Sequence, residues 1–330
     1  MIPTKPVASL SLDLDNKWSY MKTHGDQGWE SFPSYLDVVV PRVLSFLKAR
    51  HLTITFFIVG QDSALDKNRD MLAAIAAAGH EIANHSFRHE PWLHLYSEQE
   101  IDAELASAEE HIERVTGQRP IGFRGPGFSL SQGVLRALVR RGYLYDASTF
   151  PTFLGPLARA YYFMTTKLNS DQMDKRKLLF GGLREGLRPI SPYRWQIDGG
   201  GIIEIPVTTM PIFRVPIHLS YILYLSAFAP ALALRYARSA FALCRLTNSP
   251  PSMLLHPLDF LGCEDAPDLS FFPGMKLHSE EKLKLASEAL ALLSAQFTIL
   301  TVQQHARQVS QSSKLQSVEP RFQTLCQPNA

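Results

Sequence analysis

The run LTITFFIVG at residues 52–60 consists almost wholly of β-branched and aromatic residues. A strand of that kind has no wet face, and helices packed on a parallel sheet are what normally cover both of its sides. The flanking sequence supplies them. YLDVVVPRVLSFLKARH (35–51) has helical periodicity, and RDMLAAIAAAG (69–79) is a helix that stops at Gly79. SEQEIDAELASAEEHIERVTG (97–117) opens on a Ser97/Glu100 capping box and ends at Gly117. Earlier, VASLSLDLD alternates, with Leu10, Leu12 and Leu14 on one face and Ser11, Asp13 and Asp15 on the other. HEIANHS begins as a short strand, and IGFRGPGFS, a helix to Gly142, and YLYDAST continue the pattern. GGGIIEIPVTTMP and PSMLLHPLDFLG read as later strands, and 280–302 as the last helix and strand. Strand and helix alternate without internal repeats, which predicts an α/β parallel sheet or barrel whose site lies at the carboxyl ends of its strands.

The unusual polar residues fall at those ends. HEIANHSFRH (80–89) holds three of the chain's eleven histidines. His85 and His89 stand four apart, so on a helical turn both imidazoles project toward one point, a metal-ligand spacing. The same spacing also suits a surface or satisfied core pair. His80 is expected to hold the strand end, and His94 and His111 to lie on the helical side. In chain order the chemistry-capable positions are Asp13 and Asp15, His85 and His89, Arg124, Asp146, and His256.

LDLDN, HSFRH, RGPGF, YDAST and LLH, in that order, resemble the motifs of the polysaccharide deacetylase family (NodB homology, carbohydrate esterase family 4) over residues 8 to 305. The resemblance implies a distorted (β/α) barrel, here with an inserted apolar helical segment at about 151–245. It implies one divalent metal held by Asp15, His85 and His89, with zinc expected ahead of cobalt, manganese, nickel or iron. By the same resemblance Asp13 is the base that takes the water proton, Arg124 holds it ionised, His256 protonates the leaving amine, and Asp146 charges His256. An oxyanion-binding amide near Phe128, and an acyl pocket from Phe128 and Leu254, complete the expected site. Two departures stand out. The family's commoner wording has adjacent aspartates, whereas Leu14 separates them here, as in deformylases that act on a lipid-linked formamido-arabinose. Phe150 follows Thr149 where the family has a tryptophan.

Hydrolysis of an acetyl or formyl group from an amino sugar, polymeric or polyprenyl-phosphate-linked, is therefore expected. A non-catalytic glycan or lipid-sugar binder and a metal-dependent amidase on a non-sugar substrate use the same residues and stay open. A net charge of +2 with no basic stripe disfavours nucleic acid. Cys244, Cys263 and Cys326 are odd in number and form no CxxC pair, so neither a disulfide framework nor a cysteine zinc site is expected. The start of the sequence has no charged and apolar leader pattern, which favours the cytoplasm. The apolar stretch 215–244 is broken by Pro230 and Arg235 and reads as two helices meeting at the proline, with residues 217–243 available to touch the inner face of a membrane. The tail from 308 lacks periodicity and is expected to be mobile.

Overall fold

A computed structural model describes residues 5–157 and 183–322. Strands β1 (Val7–Asp13), β2 (Thr55–Ile58), β3 (Glu81–Asn84), β4 (Gly122–Phe123) and β5 (Tyr145–Asp146) pair in parallel in that order. β6 (Tyr193–Ile197) pairs antiparallel with β7 (Gly200–Glu204), and β7 in turn lies parallel to β5. β8 (Ser252–Leu255) and β9 (Thr298–Leu300) share the other edge of β1, and β10 (Ser317–Val318) pairs with β6. After β7 the chain swings across the gap: Ile205 N donates to Asp146 O, Val207 N to Thr149 O, and Thr208 N to Ser252 O. This crossing links β7 to β8 and closes a distorted barrel. The stretch expected as an insertion thus contains β7, a strand of the barrel wall.

The helices are α1 (Lys17–His24), α2 (Leu36–Lys48), α3 (Gly60–Ser63), α4 (Arg69–Ala77), α5 (Glu98–Thr116), α6 (Gln132–Arg140), α7 (Leu219–Phe228), α8 (Pro230–Leu246), α9 (Ser279–Gln296) and α10 (Val302–Ser310). The capping box at Ser97 and the left-handed Gly79 and Gly117 fix the ends of α5 and α4 as their residue types dictate. Leu10 and Leu12 of β1 pack outward with Val39, Val43 and Leu47 of α2, Ile75 of α4 and Leu290 of α9. Each such fully buried leucine contributes about 1.5–3 kcal/mol. α7 and α8 meet at Pro230 and bury Ile222, Leu223, Ala237 and Phe241 in the same core.

Alternation then turns Ser9, Ser11 and Asp13 into the barrel. Its interior is lined by Phe57, Ala83, Tyr145, Ala147, Ile203 and Ile205, which meet Val302 and Ala306 of α10. The amino end of α10 seals the barrel: Val302 N donates to Thr55 Oγ1, Gln303 N to Glu81 Oε2, and His305 Nδ1 lies 3.0 Å from Ser9 Oγ. β9 is therefore not followed by a loose end. The segment expected to be mobile from 308 continues as helix to Ser310, then pairs with β6 and sets Phe322 against Trp195; residues 323–330 lie outside the described residues.

Candidate active site

The carboxyl ends of β1, β3, β4 and β8 bring most of the expected residues together. HSFRH is not a helical turn. After β3 the chain bends through left-handed Ser86 (φ 63°) and His89 (φ 52°), and it is this bend that returns the second imidazole beside the first. Glu104 of α5 holds the bend by accepting from Phe87 N and Arg88 N, both at 3.0 Å, while Ser86 Oγ accepts from His89 N. Gly60 lets the bend approach, since a Cβ there would strike the Phe87 ring and Ala108.

His85 Nε2 and His89 Nε2 lie 3.3 and 2.9 Å from Asp15 Oδ1. All three residues are buried, and Asp15 Oδ1 has no hydrogen-bond partner of good geometry. His85 Nδ1 donates to Arg124 O at 2.7 Å, which leaves its Nε2 lone pair facing Asp15. Burial alone would raise the Asp15 pKa, but His89 and His85 together hold it well below the usual carboxylate range. Burial opposes charge on His85, yet Asp13 and Asp15 raise its pKa. An orphaned buried carboxylate oxygen facing two imidazole lone pairs fits a divalent metal with open positions.

Asp13 lies beside this cluster, its Oδ2 4.0 Å from His85 Nε2. Its Oδ1 accepts from Arg124 Nη1 at 2.6 Å. The fully buried guanidinium also donates to Ser11 Oγ and Ala147 O and lies 4.2 Å over the Phe57 ring. Arg124 thus fixes the orientation of the Asp13 carboxyl group. Leu254 lines the interior between outward-facing Met253 and Leu255, and Phe128 stacks near Phe150 at 4.7 Å. The Phe128 amide is already committed to Gly125 O and the Ser129 amide to Pro126 O, whereas the Gly127 N–H of this turn has no backbone acceptor among the described residues.

The expected pairing of Asp146 with His256 is not found among the described residues. Tyr145 faces the interior, where its hydroxyl donates to Glu81, so the next residue on the strand faces outward. There Asp146 and Glu204 form a buried carboxyl pair, both shifted upward by burial, and Asp146 accepts from Ser148, whose Oγ accepts from Gly125 N. His256 instead reaches a carboxylate through Ser220. Ser220 Oγ donates to Asp259 Oδ1 at 2.7 Å and lies 3.1 Å from His256 Nδ1, and Asp259 Oδ2 accepts from His256 N. With its one proton given to Asp259, Ser220 can only accept from His256, which leaves Nε2 as the nitrogen that exchanges protons. The His218 ring lies 5.6 Å from that of His256, and burial pushes its pKa well down.

Ser220, Asp259 and His218 do not stand out in the sequence; the only local signal is the three-residue spacing from His256 to Asp259. Asn16 and Trp18 are equally silent there. Both donate to Asp62 Oδ1, pinning the turn after Asp15 to a carboxyl that burial pushes up to about 7. His80 accepts from Ile54 N at the start of β2, as a strand-end residue should. His94 does not stand apart on the helical side, because its Nδ1 contacts Ser129 Oγ at the end of the RGPGF turn.

Residues 26–145 match the polysaccharide deacetylase family, a span that includes the histidine pair and Arg124. A peptidoglycan deacetylase of Helicobacter pylori is 29% identical over 164 residues, 49% of this chain and 55% of that protein. A peptidoglycan-N-acetylmuramic acid deacetylase of Bacillus subtilis is 33% identical over 110 residues, 33% of this chain and 41% of that one. The chain thus spans about half or less of the length of these relatives. In fold it is similar to the crystal structure of a candidate polysaccharide deacetylase from Mycobacterium smegmatis, with a TM-score of 0.62 at 20% identity, covering 100% of this chain and 97% of that one.

Proposed function

We propose, from the match of residues 26–145 to the polysaccharide deacetylase family, that this chain hydrolyses the N-acetyl group of an amino sugar in a glycan, releasing acetate and the free amine. The observation that carries the proposal is the convergence of Asp15, His85 and His89, with Asp13 beside them and bound to buried Arg124. Acetyl is preferred to formyl because the relatives are deacetylases of N-acetylated glycans. The His₂/carboxylate donor set favours zinc.

A metal bound by Asp15, His85 and His89 would polarise the amide carbonyl and acidify water. Asp13 would take the water proton, a role supported by Arg124 occupying Oδ1 and by Oδ2 lying 4.0 Å from His85 Nε2. The Gly127 N–H is the candidate donor to the developing oxyanion, and Leu254 and Phe128 shape the acyl pocket. His256, held at Nδ1 by Ser220, delivers a proton from Nε2 to the departing amine. Asp146 acts at one remove, through Ser148 and Gly125, on the turn that carries the Gly127 amide.

The test is amine release from N-acetylglucosamine oligomers and peptidoglycan fragments, with metal content measured in parallel. Wild type is expected to release amine. Asp13→Asn should keep the metal and lose about 10²–10⁴-fold in rate, and His85→Ala should lose both. Metal-loaded wild type that releases no amine from any N-acyl amino sugar, N-formyl and polyprenyl-linked ones included, overturns the proposal.

A glycan presented at a membrane is favoured by one observation: Phe228 is 89% exposed at the α7–α8 corner, with Leu232 and Leu246 also exposed on α8. Among the described residues no helix is long and apolar enough to cross a membrane, so the contact would be peripheral. Vesicle binding by wild type that Phe228→Asp abolishes is the expected result; unchanged binding removes the idea. Leu223 is buried and is not a probe of that surface.

A further inference from the structure

We infer that Cys263, Glu264 and His278 form a second metal site, for a thiophilic divalent cation such as zinc, which staples the 263–278 loop shut at its base. Cys263 Sγ lies 3.8 Å from His278 Nδ1 and 3.6 Å from Glu264 Oε2, and His278 Nδ1 lies 3.2 Å from that same oxygen. A tetrahedral zinc with ordinary bond lengths sets its sulfur roughly 3.6 Å from a nitrogen or oxygen ligand, and nitrogen roughly 3.3 Å from oxygen. The three observed edges match that face of the tetrahedron, with the fourth corner left to water.

The backbone builds the cluster independently of any ion. Cys263 N donates to Leu277 O, which brings the two ends of the loop side by side. Glu264 folds back so that Oε1 accepts from Ser279 N at the first turn of α9, leaving Oε2 toward the sulfur and the imidazole. Gly262 makes room, because a Cβ there would collide with the Glu264 carboxylate and with Ser279 N. Glu264 and His278 are exposed and Cys263 is half-buried, so the ion is held at the surface by three protein ligands with water completing its shell. The stapled loop also braces its neighbours. Asp268 pairs with Lys17 at 2.5 Å, Phe271 stacks on His24 at 3.7 Å between centroids, and Phe272 packs edge-on against Tyr20. Loop and staple thereby back α1, the helix that follows Asp15.

The sulfur gives a signature that Asp15, His85 and His89 cannot produce. Titration of the apo full-length chain with Cd²⁺ is expected to raise an ultraviolet thiolate-to-cadmium charge-transfer band, absent in Cys263→Ser and retained in Cys326→Ser. Zinc at saturation should fall from about two per chain in wild type to about one in Cys263→Ser and about one in His85→Ala. No cadmium band in wild type, a band that survives Cys263→Ser, or one lost with Cys326→Ser overturns the inference. Loss of zinc in His85→Ala with the band intact separates this site from the proposed catalytic one. Circular dichroism of each variant, compared with wild type, excludes misfolding as the cause.

Discussion

At the scale of single residues, the arginine under the base carries the sharpest prediction. Arg124 is fully buried and divides its donors among Asp13, Ser11 and Ala147. Arg124→Met should cost about 3–5 kcal/mol in urea unfolding, because Asp13 is left as an uncompensated buried charge. Adding Asp13→Asn should recover at least about 2 kcal/mol of that loss, a coupling that two independent residues would lack. Arg124→Lys should fold yet lose most of kcat, since an ammonium cannot serve the three acceptors in a plane. The positions of Asp13, Asp15, His85 and His89 were legible because LDLDN and HSFRH put unusual residue types at strand ends, whereas the roles proposed for them rest on the family resemblance. The Ser220–Asp259 support was not legible, because thirty-odd residues and a helix pair intervene between Ser220 and His256. Cys263 and His278 were illegible for the same reason: loop geometry, not spacing, brings them together.

At the scale of elements, the two-residue strand β5 shows what alternation cannot settle from sequence. YLYDAST offers no polar and apolar rhythm to count, so nothing in it reveals that Tyr145 takes the interior and Asp146 the outside. A prediction separates the two placements. Asp146→Asn should keep its metal and lose less than about tenfold in kcat, because it acts only through Ser148 on the RGPGF turn; direct service to His256 would cost about 10²-fold or more. The elements were legible where β1 alternates, where β2 sits in a β-branched and aromatic run, and where α5 carries its own caps. α10 was not, because its inward face mixes Val302 and Ala306 with the polar His305, while Gln304, Arg307 and Gln308 are exposed. His305 there is buried and held neutral, with a pKa pushed down to about 4 by burial. The unfolded chain protonates this imidazole near 6.5 and the folded chain does not until about 4, so stability falls as pH drops from 6.5 to 4. The contribution is about 3 kcal/mol across that window. His305→Gln should flatten the dependence by about 2 kcal/mol, as measured by denaturant midpoints at about pH 7 and about pH 4.5.

At the scale of the whole molecule, the parallel pairing of β1 to β5 followed from the alternation of strand and helix, but the antiparallel β6 and the closure did not. A single hydrogen-bonded crossing at Thr208 joins β7 to β8, and β6 and β10 extend the sheet beyond the ring. Phe322 lies against Trp195, with the Arg188 guanidinium 5.1 Å from the former ring and 5.2 Å from the latter. Deleting residues 313–330 should therefore lower Tm by about 2–5 °C, for a loss of about 1–2 kcal/mol, while metal content stays at the wild-type level. The seal made by α10 has a plainer consequence for traffic. A barrel corked at its amino end leaves the lip that carries Asp15, His85 and His89 as the approach, so under the proposed reading acetate and the freed amine would depart by the side from which the glycan arrived.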